Sequence, residues 1–207
     1  MPGKIKAVVF DLYDTLIYLG RYTRTHQRLL QDIGLNQDES RKMRRLAMTE
    51  EFCSLAEYVK KIAPNSTIDI QKYEREITED AATAIFFPET IQVLTTLRTR
   101  GLKLGIISNV ETPYVKPFFN LGLDKMVDEY LLSSKIGIMK PDAQVYQKMA
   151  TNLNLQPQNM LMTGDSEYCD VKGPEAMGMN AVLLDRHNKS SSQKKILTLD
   201  EITRYLI

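Results

Sequence analysis

The stretch Ile5-Lys6-Ala7-Val8-Val9-Phe10-Asp11 constrains this chain more than any other part of it. Apolar residues run from Ile5 to Phe10 with little interruption and then give way at once to Asp11, Tyr13, Asp14 and Thr15. Such a run, rich in β-branched and aromatic residues, predicts a buried strand of a parallel sheet. In open α/β sheets the reactive crevice lies outside the carboxyl ends of the strands. Asp11 is therefore expected at the sheet's working edge, with its side chain facing the crevice. A lone aspartate after a strand is ordinary loop material, so its meaning depends on what the other strands bring.

Those strands recur along the chain. After Phe87 and Pro88, the apolar positions Ile91, Val93, Leu94 and Leu97 give one helical face, and Gly101 a stop. Leu102 to Ile107 reads as the next strand, ending in Ser108-Asn109. Phe118 to Leu123 resembles a helix end, and Tyr130 to Leu132 a short strand. Lys140-Pro141-Asp142 leads into a helix through Tyr146 and Met149. Met160 to Met162 is a strand ending in Thr163-Gly164-Asp165-Ser166. Pro174 to Met177 is a short helix, and Ala181 to Leu184 the last central strand. The polar stretch Asn188 to Lys195 is a surface loop, and Thr198 with Glu201 predicts a capping box for a closing helix. Alternation of this kind indicates an α/β fold, a Rossmann-like parallel sheet with helices on both faces.

One segment breaks the alternation. Between Ile17 and Phe87 the apolar spacing is helical, as at Leu29, Leu30, Ile33 and again Leu55, Tyr58, Val59, Ile62. Gly34 and Pro64-Asn65-Ser66 punctuate it. The expected organisation is a core of residues 1–16 and 88–207 with an all-helical insertion over 17–87. The insertion's first half is basic, with Arg21, Arg24, Arg28, Arg41, Lys42, Arg44 and Arg45. Such a run is usually a solvated helix face; its alternative is that one or two arginines face the crevice and hold an anionic substrate. His26 is expected as a surface helix residue rather than a catalytic base.

Composition narrows the function classes. The 207 residues are 43% hydrophobic and 26% charged, as in ordinary soluble domains. A formal net charge of +1 supplies no field to recruit nucleic acid or an anionic membrane, so neither is expected as a partner. No apolar run approaches the length needed to span a bilayer, and the start shows no secretory pattern. Cys53 and Cys169 lack metal-ligand spacing and read as free thiols in a reducing, cytoplasmic setting. Oligomeric state is not legible.

Three predicted strand ends carry residues suited to phosphoryl transfer: Asp11 with Thr15, Ser108-Asn109, and Asp165 with Asp170 beyond it, with Lys140 before the last. This order, with Phe10-Asp11-Leu12-Tyr13-Asp14-Thr15-Leu16, Lys140-Pro141-Asp142 and Gly164-Asp165-Ser166, resembles the haloacid dehalogenase superfamily in its helical-cap form. The likeness covers nearly the whole chain outside the insertion, which would be the cap. The resemblance implies that Asp11 is a covalent nucleophile, that Ser108 binds the transferred group and that Lys140 steadies both. It further implies a magnesium (Mg2+) site served by Asp11, the Tyr13 carbonyl, Asp165 and Asp170, with Tyr13, Thr15 and Asn109 near the substrate. Magnesium suits carboxylates that would otherwise repel one another, since it takes one or two of them with substrate phosphate and waters.

Tyr13 departs from the pattern. Phosphatases resembling this chain carry there a second aspartate that protonates the leaving group, and a phenol of ordinary pKa ~10 replaces a carboxyl poorly. The same Asp-x-Tyr order resembles 2-haloacid dehalogenases, which attack carbon, expel halide and need no metal. Gly164-Asp165 argues the other way, because dehalogenases tend to have an uncharged Ser-Asn pair there, and Asp11, Asp165 and Asp170 against one lysine would suit a metal-free site badly. The expectation is thus a magnesium-dependent hydrolase of a small phosphorylated, anionic molecule with weak leaving-group protonation. A dehalogenase, or a binding module that lost turnover, are the alternatives.

Overall fold

The computed structural model describes residues 4–206. Strand β1 (Ala7–Phe10) is buried at every position, and each fully buried valine or phenylalanine there contributes about 1.5–3 kcal/mol. β2 (Ile17–Leu19) follows, then four helices, α1 (Thr25–Asp32), α2 (Gln37–Thr49), α3 (Leu55–Ile62) and α4 (Ile70–Ala82), and β3 (Ala84–Phe86). β2 and β3 pair antiparallel, Ile17 opposite Phe86. The segment read as all-helical therefore also carries a two-stranded ribbon at its two ends. Two of its helices are started by side-chain caps. Asn36 makes a capping box with Glu39 at α2, and Ser54 accepts from the Glu57 N–H at α3. Leu29, Leu30, Ala47, Phe52, Tyr58, Val59 and Tyr73 give these helices a core of their own.

The chain then alternates: α5 (Thr90–Thr99), β4 (Lys103–Ser108), a 3₁₀ turn at Thr112–Val115, α6 (Lys116–Asn120), β5 (Glu129–Leu132), α7 (Ser133–Ile136) and α8 (Ala143–Leu153). β6 (Met160–Gly164), a π-helical turn (Glu167–Lys172), α9 (Gly173–Ala176), β7 (Asn180–Leu184) and β8 (Lys195–Ile196) complete it. The six main strands lie in the order β5-β4-β1-β6-β7-β8, every pair parallel. Two apolar cores flank this sheet, one around Val8, Phe10, Leu94 and Phe118, the other around Val9, Met149, Met162 and Leu183. No helix among the described residues is long and apolar enough to cross a membrane.

Two local expectations are corrected. Lys195 is not loop but begins β8, where it pairs with Leu183 beside β7. The closing element is a 3₁₀ helix (Leu199–Tyr205): Thr198 accepts from the Asp200 N–H, and Glu201 accepts from Leu197 rather than from the cap residue. The box is thus incomplete.

Candidate active site

Strand order puts the expected residues side by side. β1 lies between β4 and β6, so Asp11 is flanked by Ser108, at the end of β4, and by Asp165, just beyond β6. The Asp11 N–H donates to the Thr163 carbonyl at 2.9 Å, which fixes where the Asp11 loop leaves the sheet. Lys140 is only 2% exposed, yet its ammonium reaches Asp11 Oδ1 at 2.8 Å and Asp170 Oδ1 at 2.7 Å. A buried cation is tolerated when paired in this way. Burial pulls the Lys140 pKa down, but the Asp11 and Asp170 carboxylates raise it further than burial lowers it.

Asn109 sets the position of that lysine. Its side-chain amide donates to the Lys140 carbonyl at 2.8 Å and accepts from the Lys140 N–H at 2.7 Å. Expected at the substrate, Asn109 lines the neighbouring cavity but spends its amide on the lysine's backbone. Gly164 supplies the other constraint. A side chain there would collide with the Asp170 carboxylate and approach the Asp11 Cβ to 2.8 Å. Only glycine lets the end of β6 pass this close to two acidic groups.

Asp11, Asp165 and Asp170 each offer an oxygen within 4.8 Å of the others. All are hard oxygen donors, the set that magnesium or calcium takes. Burial raises Asp11 to about 7, Lys140 opposes this, and Asp170 and Asp165 add to it. Burial likewise raises Asp165 to about 6, helped by Asp170 and Asp14. Carboxylates crowded to this degree favour a shared cation. Asp170 is fully buried and spends one oxygen on Lys140 and the other on the Ser166 N–H at 3.0 Å. Asp11 and Asp165 therefore have more free capacity for a metal than Asp170, which supports them.

The remaining predicted residues fall at different depths. Ser108 is buried at the strand end, 2% exposed. Thr15 is fully buried, and its hydroxyl has no hydrogen-bond partner among the described residues. The Tyr13 ring stands edge-on to Tyr114, and its hydroxyl donates to the Tyr114 carbonyl at 2.8 Å. Burial pushes the Tyr13 phenol well above its usual range. Sequence reasoning missed Arg186, just beyond β7. Its guanidinium donates to the Thr15 carbonyl at 2.8 Å, pairs with Glu89 at 2.6 Å and stacks on the Phe87 ring at 3.5 Å. It ties the loop after β1 to the chain's exit from the helical insertion; its place beyond a central strand end was the available signal.

Between the insertion and the sheet lies a cavity of about 250 Å³. His26 belongs to its wall and is only 7% exposed, which corrects the expectation of a surface residue. The face of α1 that carries Leu29 and Leu30 turns inward, and His26 goes with it. Its Nε2 lies 3.0 Å from the Tyr58 hydroxyl and its Nδ1 2.6 Å from Glu111 Oε1, so it bridges insertion and core. The basic run is mostly solvated and self-paired: Arg21 with Glu79 and Asp80, Arg28 with Glu76, Arg41 with Asp38. Of that run, only Arg44 lines the cavity.

A parallel sheet with a buried lysine between carboxylates at its carboxyl edge, and a helical insertion beside the crevice, form the architecture of a hydrolase of the α/β class. The chain belongs to the haloacid dehalogenase-like hydrolases, whose description matches residues 5–178. Glyceraldehyde 3-phosphate phosphatase of Methanopyrus kandleri is 27% identical over 204 residues, 88% of this chain and 84% of that one. Phosphoglycolate phosphatase of Salmonella typhimurium is 29% identical over 112 residues, 54% of this chain and 43% of that one. A HAD phosphatase structure from Thermococcus onnurineus superposes with a TM-score of 0.68, at 22% identity, covering 98% of each chain.

Proposed function

We propose that this protein is a magnesium-dependent phosphatase of a small anionic phosphate ester, acting in the cytoplasm through an aspartyl-phosphate on Asp11. The observation that carries the reading is Lys140, buried and 2.8 Å from Asp11, in a site with three carboxylates within reach of one cation. A metal-free dehalogenase would gain nothing from Asp165 there, and the relative above matched over 84% of its length is a phosphatase by name. The free Cys53 and Cys169 fit a reducing compartment.

An Asp11 oxygen attacks phosphorus, forming the acyl phosphate as the bond to the leaving oxygen breaks; water then cleaves the acyl phosphate and returns Asp11. Splitting one displacement in two is what a carboxylate nucleophile supplies. Lys140 faces the charge that builds on the transferring group, and Asn109 keeps the lysine there. Magnesium, held by Asp11, Asp165 and the Tyr13 carbonyl with Asp170 in support, would neutralise the phosphoryl oxygens. The Tyr13 hydroxyl donates to the Tyr114 carbonyl and is not free to protonate the leaving oxygen, and a phenol is a poor acid for that role. Leaving groups that depart as stable anions are therefore favoured.

The test is turnover of phenyl phosphate, an alkyl phosphate and 2-chloropropionate, each with and without magnesium. Magnesium-dependent release of phosphate, faster from the aryl than the alkyl ester, is expected. Tyr13 is the observation that favours the dehalogenase alternative, and chloride release without magnesium would establish it. Binding of phosphate esters without turnover would leave the non-catalytic module.

A further inference from the structure

Three features of the cavity between insertion and sheet concern a ligand rather than the fold. Part of its wall is aromatic and aliphatic, with Tyr13, Tyr22, Tyr114, Leu19 and Met48, and the rest is polar. Arg44 enters it from α2, and among the described residues its guanidinium makes no ion pair, although Arg21, Arg28 and Arg41 of the same stretch all do. The wall also carries two carboxylates, Asp14 and Glu111, of which Glu111 lies 2.6 Å from His26. Tyr114 is only 9% exposed, and its hydroxyl is buried without a hydrogen-bond partner among the described residues. A buried hydroxyl left unpaired is costly, and a guanidinium without an ion-pair partner is suited to a planar carboxylate. At about 250 Å³ the space is that of a small ligand.

We infer that the cavity holds the leaving group of the substrate and that this group is a phenol carrying a carboxylate: the tyrosine walls take the ring, and Arg44 with the Tyr114 hydroxyl takes the carboxylate. The inference rests on the phosphatase reading and narrows its substrate class. It agrees with the engaged Tyr13 hydroxyl, because a phenolate leaves without an acid where an alkoxide does not. Arg44 would then separate acidic substrates from neutral ones of the same shape.

The experiment compares 4-carboxyphenyl phosphate with 4-carbamoylphenyl phosphate, which differ in charge and hardly in shape, on the magnesium-loaded protein. Wild type is expected to prefer the carboxylate by about 10- to 100-fold in kcat/KM, the range of a charge-assisted pair. Arg44→Ala should bring the ratio of the two close to one, Arg44→Lys should keep part of it, and Tyr114→Phe should lower it less than Arg44→Ala. Direct binding of 4-hydroxybenzoate, followed by calorimetry, should weaken in Arg44→Ala while binding of benzamide does not. Hydrolysis of both esters at equal kcat/KM by wild type would overturn the inference and leave the phosphatase reading standing. Should neither ester be hydrolysed, that reading fails, and 4-hydroxybenzoate binding decides the inference alone: binding lost on Arg44→Ala supports it, and binding absent from wild type or indifferent to Arg44 overturns it.

Discussion

Replacing Lys140 by methionine keeps most of the side chain's volume and removes its charge. The ammonium has 2% exposure and touches two carboxylates, at 2.8 Å and 2.7 Å, of which Asp170 is fully buried and Asp11 14% exposed. Without it, two acidic groups face one another in a poorly solvated place. Removing one partner of a buried pair costs about 3–5 kcal/mol, because the charge left behind is uncompensated. In a chain of this size that is a fall of roughly 6–20 °C in Tm. The neutral methionine adds little of its own, since its stem can pack where the lysine's did.

The assay is urea unfolding of wild type and Lys140→Met at pH 8 with a chelator present, so that no cation substitutes for the ammonium. A midpoint shift with an unchanged m-value reports stability alone. Adding Asp170→Asn removes one of the stranded charges, so the double variant should be more stable than the sum of the single ones by about 1–3 kcal/mol. Activity, read where each variant is folded, should fall by about 10²–10³, the usual loss when one electrostatic partner of a transition state goes. A destabilisation under about 1 kcal/mol, with additive single variants, would mean that Lys140 does not hold the two carboxylates as the geometry says.

Three further outcomes follow from the same site. Asp165→Asn takes a charged oxygen from a hard-cation set, so magnesium affinity measured by calorimetry should drop markedly; an unchanged affinity removes Asp165 from the metal site. Arg186→Ala breaks the hold on the Thr15 carbonyl and on Glu89, and should lower kcat more than it raises KM, while Arg186→Lys recovers little because a lysine cannot fork to both and stack on Phe87. Tyr13→Asp should raise turnover of alkyl phosphates, by up to about 10²–10⁴ if the new carboxyl reaches the leaving oxygen; a folded variant that gains nothing on the alkyl ester argues against the missing acid as the limit.

Much of the framework was legible because it rests on local pattern. The apolar run into Asp11, and the later runs into Ser108 and Asp165, each read as buried parallel strands, and the sheet joins them in an order that puts those ends together. Lys140 was visible only by its place in that order, and nothing local said it would be buried. What pattern could not show is how side chains are spent. Asn109 looked like a substrate contact and is committed to the backbone of Lys140, which lies far from it in sequence. His26, on a short helix in a basic stretch, looked solvated; it is buried because its partners, Tyr58 and Glu111, come from a later helix and from the loop after β4. The same limit applied to Tyr13. The sequence alone says that an acid is absent from that position, but a phenol could still have stood free beside the leaving oxygen. The Tyr114 carbonyl accepts its hydrogen bond instead, as a buried phenol requires, and the ring forms one wall of the cavity. Held in this way, the ring offers a fixed surface to a leaving group and no free acid, an arrangement suited to groups that depart unaided.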